Sequence, residues 1–232
     1  MFEYKGNQFA KLCCDLVANK KAPFTALYLY GPDGCGKSAL CEYIENTRFI
    51  ANKDDVVVKY SAGYLSRLDW DERSAAFDEA KRSDICIIED LDRCDISEQF
   101  LTDLTTLVNT MNLKGKKIVI TGDKPLDKSS GFLKSNFLDR MKWEMIVRVD
   151  MPTHDDCLNA LRQFSNEDSY CKKTELEKIY EMVINAEGCN LGHVLSTFRR
   201  IVVRSQMNNK KLTLKQAENV IYDCEEIELI GA

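Results

Sequence analysis

Residues 26–38 read ALYLYGPDGCGKS, an apolar run followed by a glycine-rich turn and the start of a helical pattern. Gly31 to Ser38 match the pattern G-x-x-x-x-G-K-[ST] at every fixed position. Glycines let the backbone curl so that successive amides point inward, and a helix that begins at Lys37 adds the positive end of its dipole. The stretch therefore predicts a strand over Ala26–Tyr30, a phosphate-binding loop and a helix that leads away from it.

The side chains of this loop can be assigned to parts of a bound nucleotide. Lys37 is expected to reach the β- and γ-phosphates, and the Ser38 hydroxyl to ligate Mg²⁺. Cys35 is read either as a small filler or as a redox-sensitive thiol, because a helix N-terminus lowers the pKa of a thiol. The other positions expected to line the nucleotide are Gly31, Pro32, Asp33, Gly34, Gly36 and Ala39.

A second candidate segment is ICIIED at residues 85–90, in which an apolar run ends in two carboxylates. At the end of a central strand, Glu89 and Asp90 would lie where ligands bind in open α/β sheets. One acid would hold Mg²⁺ and the other would orient or deprotonate the attacking water. The alternative is an acidic loop after a buried strand, and Asp92 is assigned to such a loop or to a cap.

Short apolar runs alternate with helical patterns along the first two thirds of the chain, which predicts a doubly wound α/β domain with a parallel five-stranded sheet between helices. After Pro152 only helical patterns follow, so residues 151–232 are expected to form a small all-α domain behind an α/β core at residues 1–150. The predicted strands are Ala26–Tyr30, Val56–Tyr60, Ile85–Glu89, Lys117–Thr121 and Met145–Val149. The predicted helices are Asn7–Ala18, Lys37–Asn46, Asp71–Arg82, Ser97–Leu113, Thr153–Phe164, Thr174–Ala186, Leu191–Met207 and Leu214–Glu226, with Asn190 and Thr213 as N-caps of the last two.

Composition narrows the classes of protein. Hydrophobic residues make up 44% and charged residues 30%, a globular balance, and the net charge of −5 argues against strong autonomous DNA binding. The ten cysteines contain no C-x-x-C pair and are expected to be reduced core thiols rather than a metal site. No apolar run is long enough to span a membrane and Met1–Lys5 does not resemble a secretory signal, so we expect a cytoplasmic protein without membrane contact.

Taken together, these segments resemble the AAA+ ATPases, and within them the DnaA-type replication initiators and their Hda-type regulatory relatives. Residues 117–125, KIVITGDKP, are similar to the fourth strand of that family and put Asp123 at the sensor-1 position. Residues 138–143, LDRMKW, resemble its S-R-F-x-W-G segment and put Arg140 at the arginine-finger position. The resemblance implies ATP or ADP with Mg²⁺ as cofactors, a lid formed by the helical domain, and contacts through Arg140 with other AAA+ protomers. For Arg140 a surface ion pair, and for Asp123 an ordinary turn acid before Pro125, remain alternatives.

Three features depart from the family pattern. Glu89 stands first in the acidic pair, where the family has aspartate, and is one methylene longer. The sensor-2 arginine would fall at Gly192, which carries no guanidinium; His193 and Arg199 are the candidates to replace it. No segment of the 232 residues resembles the helix-turn-helix DNA-binding domain or the helicase-docking domain of full initiators.

These observations leave several functions open. The leading hypothesis is a DnaA-like ATP-binding protein with slow hydrolysis that acts in replication initiation or its regulation through other AAA+ protomers. A DnaC-type helicase loader that binds single-stranded DNA is the second, and a nucleotide-gated adaptor without real turnover is the third. A small-molecule kinase is disfavoured by the helical region after Pro152 and by the segment around Arg140.

Overall fold

The computed structural model describes residues 2–93, 97–126, 136–165 and 170–222 of the 232-residue chain. The chain separates into two compact units, one that comprises Glu3–Asp150 and one that begins at Met151. Among the described residues, no helix combines the length and apolar character needed to cross a membrane.

The first unit is built on a parallel five-stranded sheet in the order β2-β3-β4-β1-β5. This confirms the predicted fold class, and each predicted strand agrees with the observed one to within a residue at either end. The order brings the carboxyl ends of β3, β4 and β1 side by side at one edge. The strands are β1 (Ala26–Tyr30), β2 (Val57–Ser61), β3 (Ile85–Glu89), β4 (Lys117–Gly122) and β5 (Met145–Arg148).

Helices cover both faces of the sheet, which explains why the central strands lack alternation. In β1 and β3 the first four residues are buried in succession, as expected for strands packed on both sides. The helices are α1 (Gln8–Ala18), α2 (Lys37–Ala51), α3 (Ala62–Arg67), α4 (Trp70–Arg82), α5 (Glu98–Leu113) and α6 (Asn136–Met141), with a short 3₁₀ helix at Leu91–Arg93.

Two of these helices, α3 and α6, were not predicted because each has six residues, too few for an apolar stripe to repeat. Helix α2 continues to Ala51 rather than ending at Asn46, because Ile44 and Arg48 are still buried in its last turns. Helices α4 and α5 begin at N-cap residues whose side chains accept a hydrogen bond: Asp69 accepts from the amide of Glu72, and Ser97 from that of Phe100.

The second unit consists of helices around their own apolar core, in agreement with the predicted loss of strands after Pro152. Leu161, Tyr180, Phe198 and Ile201 are among its fully buried members. Asn190 caps the helix that begins at Leu191, as predicted, because its side chain accepts a hydrogen bond from the His193 amide. The helices are α7 (His154–Phe164), α8 (Lys173–Glu187), α9 (Leu191–Asn208) and α10 (Leu214–Tyr222); the predicted continuation to Glu226 lies outside the described residues.

Candidate nucleotide site

The loop from Gly31 to Ser38 joins β1 to α2 at the carboxyl edge of the sheet. Gly34 and Gly36 have φ angles of 78° and 93°, in the left-handed region that favours glycine, and this curls the chain ahead of the helix. Gly31 lies so close to the end of β5 that an added Cβ would stand 2.1 Å from the carbonyl oxygen of Val149. The loop therefore needs glycine for two reasons, a backbone turn and a close approach.

Tyr4 supports the phosphate loop through its hydroxyl group, a role that the sequence did not reveal. Its hydroxyl lies 2.6 Å from the carbonyl oxygen of Cys35 and 2.9 Å from that of Asp150. The ring is buried. Because both acceptors are backbone atoms, no motif in the sequence could have marked Tyr4 as their partner.

Lys37 is the most buried charged group of the loop, with 6% of its surface exposed. Its ammonium donates to the carbonyl oxygens of Gly31 (2.7 Å) and Pro32 (3.1 Å) and lies 3.0 Å from Oδ1 of Asp123. A buried ammonium held by carbonyls and one carboxylate is a strong local source of positive charge at the helix N-terminus. Ser38 and Ala39 follow it in the first turn of α2 and are exposed.

Asp123 follows the end of β4 and is held by two cations. In addition to Lys37, the Nε of Arg93 lies 3.0 Å from its Oδ2. Burial opposes its ionisation, but the hydrogen bonds from Arg93 and Lys37 outweigh burial and lower the pKa of this carboxyl. The sensor-1 candidate is therefore a carboxylate fixed directly beside the phosphate loop.

Asp92 positions the turn that carries Asp123. Its carboxylate accepts hydrogen bonds from the amide of Asp123 (2.9 and 2.7 Å) and from that of Lys124 (2.9 Å). Asp92, expected in a solvated loop or at a cap, caps a turn 31 positions further along the chain. Only the adjacency of β3 and β4 brings the two segments together.

Asp90 has a left-handed backbone, with φ of 60°, an uncommon conformation for a residue other than glycine. Its amide donates to Oγ1 of Thr121 on the neighbouring strand. Burial raises the pKa of its carboxyl; Glu89 and Asp123 act in the same direction, and Arg93 and Lys37 oppose them. Asp90 is thus a partly buried acid in the middle of a charged cluster, as expected for a residue that orients water or a metal ion.

Glu89 has an environment that the sequence did not predict. Its Oε2 is 3.0 Å from the ammonium of Lys59, which projects from β2 and also lies 4.0 Å from Glu45. Its Oε1 is buried and has no hydrogen-bond partner among the residues that the structure describes. The longer side chain therefore forms an ion pair across the sheet and retains one free acceptor oxygen.

The acceptor atoms at this edge fit Mg²⁺ only if a phosphate supplies further ligands. Ser38, Glu89 and Asp90 offer a hydroxyl and carboxylate oxygens, the hard ligands that Mg²⁺ prefers. Among the described residues, no group of three or more His, Cys, Asp or Glu side chains is arranged to hold a metal ion by itself. The orphaned Oε1 of Glu89 is consistent with a ligand that is directly bound or bridged by water.

Arg140 lies near the amino ends of the strands, whereas the phosphate loop lies at their carboxyl ends. Its Nε donates to Oδ1 of Asn109 (2.8 Å), and its guanidinium pairs with Glu144 at 2.6 Å. Glu144 also accepts from the amides of Thr25 and Ala26, where β1 begins. The phosphate loop begins where β1 ends, roughly 16 Å away for five residues at about 3.3 Å each, so Arg140 cannot serve the loop of its own chain.

The structure also describes the surroundings of the remaining candidates, Cys35, Gly192, Arg199 and His193. Cys35 is buried, and burial raises the pKa of its thiol despite the nearby ammonium of Lys37, which favours the small-filler reading over the redox-sensitive one. Gly192 lies in the first turn of α9. Arg199, a candidate replacement for the sensor-2 arginine, stacks over the ring of Phe164 at 5.2 Å, and His193 lies 3.9 Å from Glu187.

The chain is similar in sequence to bacterial DnaA proteins. The family model of the bacterial DnaA ATPase domain matches residues 2–148. The chromosomal replication initiator protein DnaA of Campylobacter fetus subsp. fetus is 23% identical over 221 residues, covering 94% of this chain and 50% of that protein. DnaA of Wolinella succinogenes is 24% identical over 225 residues, covering 93% and 49%. The chain thus spans about half the length of these relatives.

Solved structures agree in fold. Domain III of DnaA from Thermotoga maritima superposes with a TM-score of 0.80 at 21% identity, covering 95% of this chain and 92% of that one. AMPPCP-bound DnaA from Aquifex aeolicus superposes with a TM-score of 0.70 at 15% identity, covering 86% and 62%. Since the family model matches more than half of the residues, from the N-terminal segment to the end of β5, the chain belongs to the family of bacterial DnaA ATPase domains.

Proposed function

We propose that the chain binds ATP or ADP with Mg²⁺ at the loop Gly31–Ser38 and acts in DNA replication initiation or its regulation. The observation that carries this proposal is the buried ammonium of Lys37 beneath a glycine-curled loop, with Asp123 3.0 Å away. The Aquifex aeolicus relative is bound to AMPPCP, a triphosphate analogue, which supports the same ligand class here.

Each polar residue of the site has a role in this proposal. Loop amides and Lys37 bind the phosphates, and Ser38 with Asp90 holds Mg²⁺, which neutralises phosphate charge when bound. Asp123 senses the terminal phosphate or positions water, and Glu89 assists through its free oxygen. Residues 1–150 form the nucleotide-binding core and residues 151–232 the lid.

Hydrolysis is expected to be slow. Gly192 supplies no guanidinium to stabilise phosphate charge. The Lys59 ammonium occupies one oxygen of Glu89, which leaves that oxygen less available to a metal ion or to water. Calorimetric titration with ATP and ADP tests binding, and phosphate release tests turnover. If a folded sample binds neither nucleotide, the binding proposal is contradicted. If it hydrolyses ATP at tens per second without a partner, only the expectation of slow hydrolysis is contradicted.

Contacts with other AAA+ protomers are proposed to involve Arg140. Because the Arg140 guanidinium is remote from the phosphate loop of its own chain, it is suited to act on the nucleotide of a neighbouring protomer. The ion pair with Glu144 holds it on α6 in the isolated chain. The same pair links α6 to the start of β1, so Arg140 also stabilises the fold.

The variant Arg140→Gln is expected to bind ATP with unchanged affinity and to lose hydrolysis stimulated by assembly. Its unfolding free energy should fall by roughly 1–3 kcal/mol, because Glu144 loses a partner in a largely buried site. Calorimetry, phosphate release against protein concentration and thermal unfolding measure the three effects. Arg82→Gln, which removes an exposed arginine at the end of α4, is the matched control. Equal loss of stimulation in both variants would refute the role of Arg140.

A second candidate function, binding of single-stranded DNA as in a helicase loader, is favoured by two exposed aromatic residues. Tyr64 on α3 and Trp70 on α4 expose 55% and 68% of their surface. Exposed aromatic rings near a sheet edge suit base stacking. A DnaA structure among the similar proteins is bound to AMPPCP and single-stranded DNA, and DnaI is another fold neighbour, with a TM-score of 0.54.

Alanine at both Tyr64 and Trp70 is expected to weaken binding of a single-stranded oligonucleotide by at least about tenfold, since stacking contributes about 1–3 kcal/mol per base. Fluorescence anisotropy with ATP at several salt concentrations measures this affinity. Trp143→Ala is the control, because Trp143 is 85% exposed but precedes β5 at the other sheet edge. If the unaltered chain binds ATP without hydrolysing it and does not bind single-stranded DNA, the function of a nucleotide-gated adaptor is supported instead.

A further inference from the structure

The phosphate loop carries an acidic residue, Asp33, whose side chain is 78% exposed. Its Oδ1 accepts a hydrogen bond from the amide of Gly34, the next residue of the loop. A carboxylate within a loop that receives polyphosphate repels the ligand. Some cation must offset this charge if the loop is to bind a triphosphate well.

Arg93 is placed to supply that cation. It ends the 3₁₀ helix that follows the acidic strand β3, 60 positions beyond Asp33 in the chain. Its guanidinium lies 3.2 Å from Oδ1 of Asp33 and 3.0 Å from Oδ2 of Asp123. The hydrogen bond that Arg93 donates to Asp123, followed by its pairing with Asp33, raises the pKa of Arg93, so it stays charged.

The four side chains form a row of alternating charge at the carboxyl edge of the sheet: Asp33, Arg93, Asp123 and Lys37. When the Lys37 ammonium contacts a phosphate, its attraction to Asp123 competes with that contact. Arg93 continues to hold Asp123 and also neutralises Asp33. Two acids close to the phosphates are thereby compensated by one arginine that need not touch the nucleotide.

We propose that Arg93 is a positioning residue that neutralises Asp33 and anchors Asp123, and so permits an acidic phosphate loop to bind a triphosphate. This inference rests on the proposed nucleotide-binding function. It assigns to Arg93 a charge-compensating action rather than contact with the nucleotide. Removal of the Asp33 charge should therefore reduce the effect of losing Arg93, because only Asp123 is then left to compensate.

A double-mutant cycle on the full chain tests the proposal, with Arg93→Gln, Asp33→Asn and the double variant titrated with ATP and ADP by calorimetry. Arg93→Gln is expected to weaken ATP binding about tenfold and ADP binding about threefold, because the triphosphate carries more charge near Asp33. The effect should shrink as salt rises, since both groups are partly exposed. Asp33→Asn should bind ATP at least as tightly as the unaltered chain, and in that background Arg93→Gln should weaken ATP binding only about threefold, because Asp123 alone then lacks its arginine.

The controls separate this inference from the function on which it rests. Arg82→Gln removes an exposed arginine at the end of α4 and should leave both affinities unchanged, and thermal unfolding without nucleotide shows whether each variant is folded. If the unaltered chain binds ATP but Arg93→Gln binds equally well, or Asp33→Asn fails to restore its affinity, the compensating role of Arg93 is refuted. If the unaltered chain binds no nucleotide, the proposed function fails and this inference fails with it.

Discussion

Replacement of Lys37 by alanine is expected to lower ATP affinity by about 100-fold, the largest change in binding predicted for a single substitution in this chain. Hydrogen bonds between charged groups contribute about 1.5–3 kcal/mol each, and a buried ammonium forms more than one of them with phosphate oxygens. The change also removes the partner of Asp123, which would then face the phosphates with one cation fewer. Calorimetry with ATP measures the loss directly.

Two comparisons make this experiment decisive. Lys81→Ala removes a partly exposed lysine that pairs with Asp78 on α4, and its ATP affinity should match that of the unaltered chain. Thermal unfolding of Lys37→Ala without nucleotide should show a folded protein, because Asp123 keeps its bond to Arg93. A folded Lys37→Ala variant with undiminished ATP affinity would rule out the loop as the phosphate site.

The second large effect is on stability, and it is expected for Gly31→Ala. The added Cβ would meet the carbonyl oxygen of Val149 at 2.1 Å and the sulfur of Cys35 at 3.0 Å. A backbone atom cannot move aside as a flexible side chain can, so the loop or the end of β5 must shift. The expected loss is roughly 3 kcal/mol, or about 6–12 °C in the thermal midpoint.

Gly192→Ala is the matched substitution for this prediction. Its Cβ would meet only Oδ1 of Asn190, at an ordinary 3.4 Å, in the first turn of α9. Alanine should stabilise that helix by roughly 0.5–1 kcal/mol, since glycine is the poorer helix former. The two glycine changes should therefore shift the thermal midpoint in opposite directions; a neutral Gly31→Ala would show that the close approach to Val149 is not constraining.

Much of the fold could be predicted because it depends on local pattern. The apolar runs before Gly31 and Glu89 are strands with the predicted bounds, and the loop between β1 and α2 lies where its glycines indicated. Asn190 caps α9 because an asparagine side chain bonds the amide three residues ahead, which is a property of adjacent sequence. The short helices α3 and α6 were missed for the same reason, since six residues contain too little pattern.

The partners of the charged residues could not be predicted in this way. Nothing in the sequence indicates that Arg93 pairs with Asp33 and Asp123, or that Lys59 pairs with Glu89. These pairs join positions on different elements or on different turns, and their geometry depends on which elements lie side by side.

The amino-acid sequence by itself thus determined the phosphate loop, the acidic strand end and the alternation of strands and helices, because backbone propensity and hydrophobic period act over a few residues. The tertiary structure alone decided which charges meet. The order β3-β4-β1 brings the loops that follow these strands together at the carboxyl edge of the sheet. Asp90, Asp123 and Lys37 therefore lie close to one another there. Charge pairing depends on distance in space, and the chain acquires those distances only when its sheet has formed.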